Sequence, residues 1–329
     1  MDEGHAVISP RHYCLEDNMS DALGLGKVTK EVFRRSVLPF IPVERDPELD
    51  GATIGLTERT VIAHSPSIGV PLEALGFFAF HYSASNVACK FGRPTHLITG
   101  IYLPLRTREA DLRTIARSLG DEARRYGVVI TAGQTATYHG LEIPLVTSTC
   151  LGEALRAPSK PVPGDKVMLI GEVGGEGVWL KGLERGEESQ AWRRFTPLPA
   201  ILGLQGVDQV KVMHDVSEGG VKGSLYEVAD SLGVGLSVDT EEVVYAEGAE
   251  RLDDDPLRAP SYGALVAVVD PEGINRVKSV CASVGWPATC VGDVVKGKGL
   301  KVDGVVVIDQ KRIDLDEIYG SFQAPRRDP

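Results

Sequence analysis

The stretch His214-Asp-Val-Ser-Glu-Gly-Gly-Val221 is the most informative part of this 329-residue chain. It follows residues 210–213, a short apolar run that predicts a β-strand. It precedes residues 221–232, whose apolar positions recur every three or four residues, as on one face of a helix. Gly219 and Gly220 would let the backbone turn sharply between the two elements. This strand–turn–helix unit predicts an α/β fold.

Two interpretations of this stretch are open from the residues alone. In the first, Gly219 and Gly220 bring the backbone close to a ligand, and the start of the helix offers free N–H groups to a phosphate. Asp215 would then bind a metal or accept a hydrogen bond from the ligand. In the second, Asp215 or Ser217 caps the helix and the glycines only form the turn. Residue physics favours the capping interpretation.

Strands and helices alternate on both sides of this unit. In the first half, residues 109–126 predict a helix that ends at Gly127, and four strands are predicted at 60–63, 96–103, 128–131 and 143–149. In the second half, residues 271–284 predict a helix, and the remaining strands are predicted at 166–170, 263–269, 288–291 and 305–308. Between the halves, Ala157-Pro-Ser-Lys-Pro-Val-Pro-Gly164 is typical of a connector. We therefore expect two domains, at residues 1–157 and 164–329.

Composition narrows the possible partners. The net charge of −11 argues against a nucleic-acid-binding face. No apolar run approaches the roughly 20 residues that a membrane span needs, and the first residues lack the features of a signal peptide. The five cysteines show no CxxC spacing, so zinc and a disulfide framework are not predicted. We expect a cytoplasmic protein that binds neither nucleic acid nor membrane.

Several motifs resemble, in order, those of the aminoimidazole ribonucleotide (AIR) synthetase superfamily. The stretch 214–221, followed by residues 225–229 and 233–238, resembles the signature of the second domain in that superfamily. Asp255-Pro-Leu257 with Ser261-Tyr-Gly263 is most similar to the hydrogenase-maturation (HypE) branch. Four further segments resemble family motifs: the glycine-rich Gly24-Leu-Gly-Lys27, a helix over 83–94, a glycine turn over 131–136, and the strand opening at 164–171.

The resemblance implies a two-domain PurM-like fold of the α/β (α+β) class. The sheet of the N-terminal domain would pair across a dimer to form a barrel, and the C-terminal domain would be α/β. ATP would bind near the N-terminal glycine-rich segment, with magnesium held by carboxylates of the first domain. The predicted catalytic residues are Asp215 and Glu218. The predicted cofactor-binding residues are Gly24, Gly26, Lys27, Asn86, Gly133, Gln134, Thr135, Gly219 and Gly220.

The chain departs from the family mainly at carboxylates. Neutral residues stand at four positions where the family carries acidic ones: in Ala63-His-Ser65, in Ser85-Asn86, at Gln134, and in Ser261-Tyr-Gly263. Magnesium prefers hard, charged oxygen ligands, so Mg²⁺ binding is doubtful. The metal ligands are unknown, and Asp215 is the best remaining candidate. We expect these positions to line one polyphosphate cleft that has lost much of its negative charge.

Three functions are compatible with this pattern. The first is an ATP-dependent enzyme that activates a carbonyl or amide oxygen during maturation of a hydrogenase-like metalloenzyme. The second is a dimeric scaffold or ligand-binding protein without turnover, which the lost carboxylates favour. The third is a small-molecule kinase of the thiamine-phosphate kinase type, whose aspartate-rich loops are not found here. The last cysteine is Cys290, so the C-terminal cysteine chemistry of HypE is not assigned. The substrate, a small molecule or a protein-bound group, is not identified.

Two other features have alternative interpretations. Gly171-Glu-Val-Gly-Gly-Glu-Gly177 looks like a phosphate loop, but it more plausibly joins the first strand of the second domain to a helix. His81 would line a pocket with Asn86 and Cys89, although a single histidine in a helix is more often a packed residue.

Overall fold

The structure is a computed structural model that describes residues 23, 26–27, 30–42, 56, 58–217, 219–252 and 255–308. It contains two sheets, each with its own helices, and we call these units the first and second lobes. The mixed α/β class predicted from the sequence is confirmed. Within the described residues, no helix has the length and apolar character needed to cross a bilayer.

The first lobe is built on a five-stranded sheet in the order β1-β4-β3-β5-β2. Strands β3 and β4 are parallel, and every other pair in this sheet is antiparallel. The strands are β1 (Gly26–Lys27), β2 (Thr60–Ile68), β3 (Gly92–Pro104), β4 (Val129–Tyr138) and β5 (Leu145–Ala154). The helices are α1 (Lys30–Ser36), α2 (Leu72–Cys89) and α3 (Glu109–Arg125).

Helix α2 is the central element of the molecule. It packs against the sheet of the first lobe, against α3, and against β7 and α5 of the second lobe. This position explains why it has no polar stripe: 14 of its residues are buried, and Phe77, Phe78 and Phe80 are almost completely inaccessible. Helix α3 covers α2 from outside and keeps the amphipathic pattern expected of a surface helix.

The second lobe contains a seven-stranded sheet in the order β12-β11-β8-β10-β6-β9-β7. Its strands are β6 (Lys166–Ile170), β7 (Val210–Asp215), β8 (Gly235–Val238), β9 (Leu265–Val269), β10 (Ala288–Val295), β11 (Gly299–Val302) and β12 (Val305–Val307). Its helices are α4 (Gly175–Glu184), α5 (Leu198–Leu204), α6 (Gly220–Leu232) and α7 (Ile274–Ser283). Strand β7 lies at the sheet edge and contacts α2, so the end of β7 faces the first lobe.

Polar contacts tie the lobes together at the end of α2. The side-chain amide of Gln205 donates to the carbonyls of Ala88 (3.0 Å) and Gly92 (2.9 Å). The first of these is a carbonyl in the last turn of the helix, and it also accepts from the Phe91 N–H (2.9 Å). One apolar core cluster contains residues of both lobes. The division into domains 1–157 and 164–329 therefore stays a prediction.

Two local predictions are wrong. Residues 131–136, predicted as a glycine turn, lie inside β4, which pairs with β3 along most of its length. The helix predicted over 83–94 begins at Leu72 and ends at Cys89, and β3 starts at Gly92. Phe91 adopts a left-handed conformation (φ 56°) between them, so the chain reverses before the Gly-x-Pro segment instead of carrying it on a helix.

Candidate functional site between the two lobes

Asp215 is a buried carboxylate at the end of β7. Its residue surface is only 5% exposed, and its carbonyl accepts a hydrogen bond from the Ser224 hydroxyl (3.2 Å). The nearest charged partner of the carboxylate is the His214 imidazole, at 3.9 Å, and the one hydrogen bond that it receives within the described residues comes from its own main chain. Burial raises the pKa of Asp215, because desolvation penalises the charged form. Such a carboxylate can accept a proton or a ligand hydrogen bond.

The side-chain cap predicted by the second interpretation is wrong, whereas its prediction that the glycines form the turn is confirmed. Helix α6 begins at Gly220 with Gly219 at its N-cap, and no side chain caps it. Gly220 has a left-handed φ of 62°, and a Cβ there would lie 2.5 Å from the Leu257 carbonyl oxygen. The chain's own backbone therefore occupies the space in front of Gly220. Glu218 lies outside the described residues.

His214 and Glu227 form a pair beside Asp215. The imidazole Nε2 and the Glu227 carboxylate are 2.6 Å apart. Burial disfavours the charged imidazole, but the hydrogen bond to Glu227 and the charge of Asp215 outweigh it and raise the pKa of His214. His214 is therefore a neighbour of Asp215 whose imidazole is already engaged by Glu227.

Helix α2 forms the opposite wall of the site. The Asn86 amide lies 3.4 Å from the Ser65 hydroxyl on β2, and the Ser85 hydroxyl accepts a hydrogen bond from Tyr262 (3.0 Å). These residues belong to three of the four segments in which the family carries carboxylates. The structure therefore brings three of the four neutral segments together between the lobes.

Cys89 continues this wall one turn further along α2 and reaches the main chain of Asp215. Burial, together with the charge of Asp215, holds the pKa of the Cys89 thiol well above its usual value. A thiol in that state is a poor nucleophile, so Cys89 acts as a packed neighbour of the carboxylate.

Gln134 does not join this group. It is exposed on the open face of the first sheet, where its amide donates to the Tyr138 hydroxyl (3.2 Å). Asn86 and its partner Ser65 lie on the opposite face, against which α2 packs. The expectation that Asn86 and Gln134 line one cleft is therefore wrong, since strand alternation separates them by the thickness of the sheet.

The remaining predicted cofactor residues lie at the other edge of this sheet. Gly26 and Lys27 form β1, which pairs with the Ala136–Thr137 segment of β4. Thr135 is buried, and a Cβ at Gly133 would lie 2.4 Å from the Thr99 carbonyl oxygen, so Gly133 serves close packing of β3 and β4. Gly24 and the side chain of Lys27 lie outside the described residues.

Sequence reasoning missed a buried network that joins the lobes. His81 is fully buried on α2: its Nε2 lies 2.9 Å from Glu122 of α3, and its Nδ1 lies 2.7 Å from the Thr196 hydroxyl. Burial lowers the pKa of His81, so the ring is neutral. A neutral ring donates from Nε2 to the carboxylate and accepts at Nδ1 from Thr196. No sequence pattern links positions 81, 122 and 196.

The described residues contain no preformed cluster of metal ligands. Across them, no three His, Cys, Asp or Glu side chains lie close enough together to hold a metal ion. Between the lobes, the Asp215 carboxylate receives no hydrogen bond from another described residue, and Glu227 is engaged by His214. One carboxylate beside amide and hydroxyl groups is the smallest set that Mg²⁺ normally uses near phosphates.

Comparison with protein families identifies both lobes. Residues 50–154 match the N-terminal domain of AIR synthase related protein, and residues 162–305 match its C-terminal domain. The chain belongs to the AIR synthase related family. The predicted resemblance is confirmed, and the two domains occur in the family order.

Similar proteins carry HypE names. The carbamoyl dehydratase HypE of Azotobacter vinelandii is 27% identical over 301 residues, covering 84% of this chain and 86% of the relative. A thiamine-monophosphate kinase of Pyrococcus horikoshii is 26% identical over 251 residues, covering 72% of this chain and 76% of the relative. The resemblance therefore extends to the HypE branch and to a kinase of the same family.

Solved structures share the fold at lower identity. The crystal structure of E. coli HypE, a hydrogenase maturation protein, superposes with a TM-score of 0.74 at 21% identity, covering 87% of this chain and 95% of that one. The crystal structure of HypE in complex with ATP superposes with a TM-score of 0.70 at 21% identity, covering 81% of this chain and 88% of that one. The crystal structure of a HypE–HypF complex superposes with a TM-score of 0.69 at 21% identity, covering 77% of this chain and 90% of that one. These likenesses establish the PurM-like fold.

Proposed function

We propose that this family member binds ATP and uses it to activate a carbonyl or amide oxygen during the maturation of a hydrogenase-like metalloenzyme. The HypE relatives and the ATP complex of a protein with this fold support the proposal. The observation that carries it is Asp215, a carboxylate that is buried between the lobes without a hydrogen bond from another described residue. Burying such a group is costly, so its retention favours a role towards a ligand.

The chemistry assigns a task to this carboxylate. Transfer of a phosphoryl group to an amide oxygen makes that oxygen a leaving group, and its departure as phosphate requires loss of a proton from the substrate. Burial raises the pKa of Asp215, which makes it a stronger proton acceptor than an exposed aspartate. The amide of Asn86 would orient the nucleotide or the substrate, and Lys27 would contact a phosphate as a point charge.

No step is assigned to magnesium. The four family segments that resemble metal loops are neutral in this chain, and within the described residues Asp215 is the one interlobe carboxylate that no other residue engages by a hydrogen bond. Charge neutralisation of a polyphosphate would therefore fall mainly on donors of the protein.

A second function is favoured by a specific contact. The Tyr262 hydroxyl bonds to Ser85 across the cleft, and the Tyr262 ring packs edge-to-face on Tyr82 with centroids 4.4 Å apart. A direct contact between lobes at positions where the family carries acidic residues suits a scaffold that binds nucleotide without turnover. A small-molecule kinase ranks third, because kinase chemistry depends on the metal carboxylates that are missing at these positions.

Calorimetry and a phosphate-release assay separate the functions. ATP is titrated with Mg²⁺ and with EDTA, and phosphate release is then measured for the wild type and Asp215→Asn. For the enzyme we expect release that falls about 100-fold or more in Asp215→Asn, the usual effect of losing a general base. Asp230→Asn, an exposed aspartate on α6, is the matched control and should keep full activity.

The other outcomes are equally informative. ATP binding without any release, unchanged by EDTA, would support the scaffold. Release that Asp215→Asn leaves intact would remove the catalytic role of Asp215. If ATP fails to bind under either condition, both nucleotide functions are wrong.

We also propose that the chain forms a homodimer through the open face of its first sheet. That face carries exposed apolar side chains, including Ile62 (60% exposed) and Ile98 (39%), which a monomer rarely displays on one surface. Light scattering should give a dimer mass for the wild type and a monomer mass for Ile98→Asp. Val305→Asp, at an exposed valine of the second lobe, should stay dimeric. A monomeric wild type would exclude this interface.

The HypE–HypF complex supports a protein partner for this chain as well. A reducing, cytoplasmic location is proposed on the basis of the cysteines, since Cys89, Cys150, Cys281 and Cys290 are all free thiols.

A further inference from the structure

The glycine-rich segment 171–177 does not have the geometry of a phosphate loop. The N–H of Gly174 donates to the Ser261 hydroxyl (2.8 Å), and the N–H of Gly177 donates to the Pro260 carbonyl (2.9 Å). The Glu176 carboxylate, in the first turn of α4, accepts from the N–H of Tyr262 (2.8 Å). The backbone N–H groups that would bind a phosphate therefore donate to residues 260 and 261 instead. The Glu176 carboxylate beside them would also repel a phosphate.

A cavity of about 330 Å³ opens beside this segment. Four aromatic side chains contribute to its walls: Trp179, Phe195, Tyr262 and Trp286. Trp179 and Phe195 are held in an edge-to-face arrangement, with centroids 5.9 Å apart. The indole N–H of Trp179 is buried without a hydrogen-bond partner among the described residues. The volume lies at the lower end of the range for small-molecule sites.

The charges around this cavity are mainly negative. Glu172 and Glu247 line it, both are exposed, and neither is engaged by another described residue. Glu187, also on the wall, is held by Arg185. Arg194 is the one basic residue among the described lining residues. An anion would meet this excess of carboxylates, whereas a cation would gain from both the carboxylates and the electron-rich ring faces.

We propose that this cavity is a binding site for a small organic cation, an ammonium or guanidinium group. The ring faces of Trp179 and Trp286 would receive the cation, and Glu172 and Glu247 would balance its charge. The unpartnered Trp179 N–H favours a ligand that also carries a hydrogen-bond acceptor. The charged residues of this site are separate from those of the proposed ATP function, because Glu172 and Glu247 take no part in the interlobe site, whereas Tyr262 borders both.

The test uses the tryptophans as reporters. Tetramethylammonium and methylguanidinium chlorides are titrated into the full chain at constant ionic strength while tryptophan fluorescence and heat are recorded. We expect saturable binding of at least one cation and none of inorganic phosphate. Glu172→Gln/Glu247→Gln should weaken binding roughly three- to tenfold, as expected for two partly exposed charge contacts.

The matched control removes two charges elsewhere. Glu241→Gln/Glu242→Gln lies on an exposed turn outside the cavity and changes the net charge equally. It should bind as the wild type does. Equal weakening in both double variants would mean that bulk charge attracts the cation, and the site would be rejected.

Two further readouts complete the test. Saturable binding of phosphate with no response to either cation would overturn the proposal outright, as would no saturable binding of any probe. Trp286→Leu, checked for folding by circular dichroism, should abolish the cation response. ATP affinity should be the same in Glu172→Gln/Glu247→Gln as in the wild type, so failure of the ATP proposal and failure of this one remain distinguishable.

Discussion

Thr196→Val isolates the contribution of the buried network that joins the two lobes. The Thr196 hydroxyl donates to His81 Nδ1 (2.7 Å), and it accepts from the N–H of Leu198 (3.2 Å) at the start of α5. Valine has the same shape as threonine but makes neither bond. The variant therefore changes hydrogen bonding at constant volume, and Thr196 is only 5% exposed, so water cannot replace what is lost.

The expected cost follows from these two bonds. Each buried hydrogen bond contributes about 1 kcal/mol, and leaving its partner unsatisfied adds to that loss, so we expect a total of about 2–3 kcal/mol. His81 Nδ1 and the Leu198 N–H are the two groups left without partners. The remaining bond from His81 Nε2 to Glu122 keeps the ring in place, which limits the loss to this range.

Urea unfolding, followed by circular dichroism at pH 7.5, measures the change. The control is Thr114→Val, a half-buried threonine on α3 whose hydroxyl bonds only to the carbonyl one turn earlier. We expect the control to lose less than about 0.5 kcal/mol, as surface substitutions usually do. If Thr196→Val were as stable as Thr114→Val, the network would contribute nothing to stability, and the assigned roles of His81 and Thr196 would be refuted.

Three other predictions concern the same fold. Because burial lowers the pKa of His81 below its usual 6.5, the unfolded chain gains a proton first as the pH falls. The wild type should therefore lose its advantage in free energy of unfolding over His81→Gln as the pH falls below roughly 6.5, by up to about 1.4 kcal/mol per pH unit. Urea titrations at several pH values measure this difference, and a difference that does not change with pH would contradict the prediction. Gly220→Ala should lower the free energy of unfolding, measured in urea titrations, by about 2 kcal/mol or more, because φ at this position is positive and the new Cβ would clash with a backbone oxygen. The control Gly206→Ala, with open space around the new Cβ, should leave the free energy of unfolding unchanged. Arg156→Lys should lower the midpoint of thermal unfolding by a few degrees, equivalent to about 1–2 kcal/mol. The reason is that the Arg156 guanidinium stacks 3.5 Å from the Phe91 ring and donates hydrogen bonds to two carbonyls of the second lobe. An unchanged midpoint would show that a positive charge without the guanidinium geometry is sufficient at this position.

Local sequence patterns predicted the elements of this fold well. The apolar spacing in residues 109–126 predicted α3, which spans Glu109–Arg125. The glycines after residue 213 predicted the turn between β7 and α6. Such patterns work because helix and strand periodicity depend on neighbours a few residues away. The ordered series of motifs also identified the family, because each motif occupies one strand–turn–helix unit.

Local patterns failed where two faces of a strand had to be told apart. Gln134 and Gly133 are adjacent in sequence, yet the Gln134 side chain is on the open face, whereas a Cβ at Gly133 would meet Thr99 of the neighbouring strand. The prediction of a glycine turn over residues 131–136 gave no reason to expect adjacent residues on opposite faces, because side chains alternate between faces in a strand and not in a turn. Residues 131–136 are part of β4, and the register of β4 against β3 places Gln134 on the face of the sheet opposite to Asn86.

The sequence by itself determined most of the strands and helices and the family, because these follow from short-range spacing. The tertiary structure decided which of the predicted residues meet. Tyr262 reaches Ser85 across 177 positions, and Thr196 reaches His81 across 115. Contacts of this kind depend on how two sheets pack around α2, and the burial that perturbs Asp215 and His81 arises only from that packing.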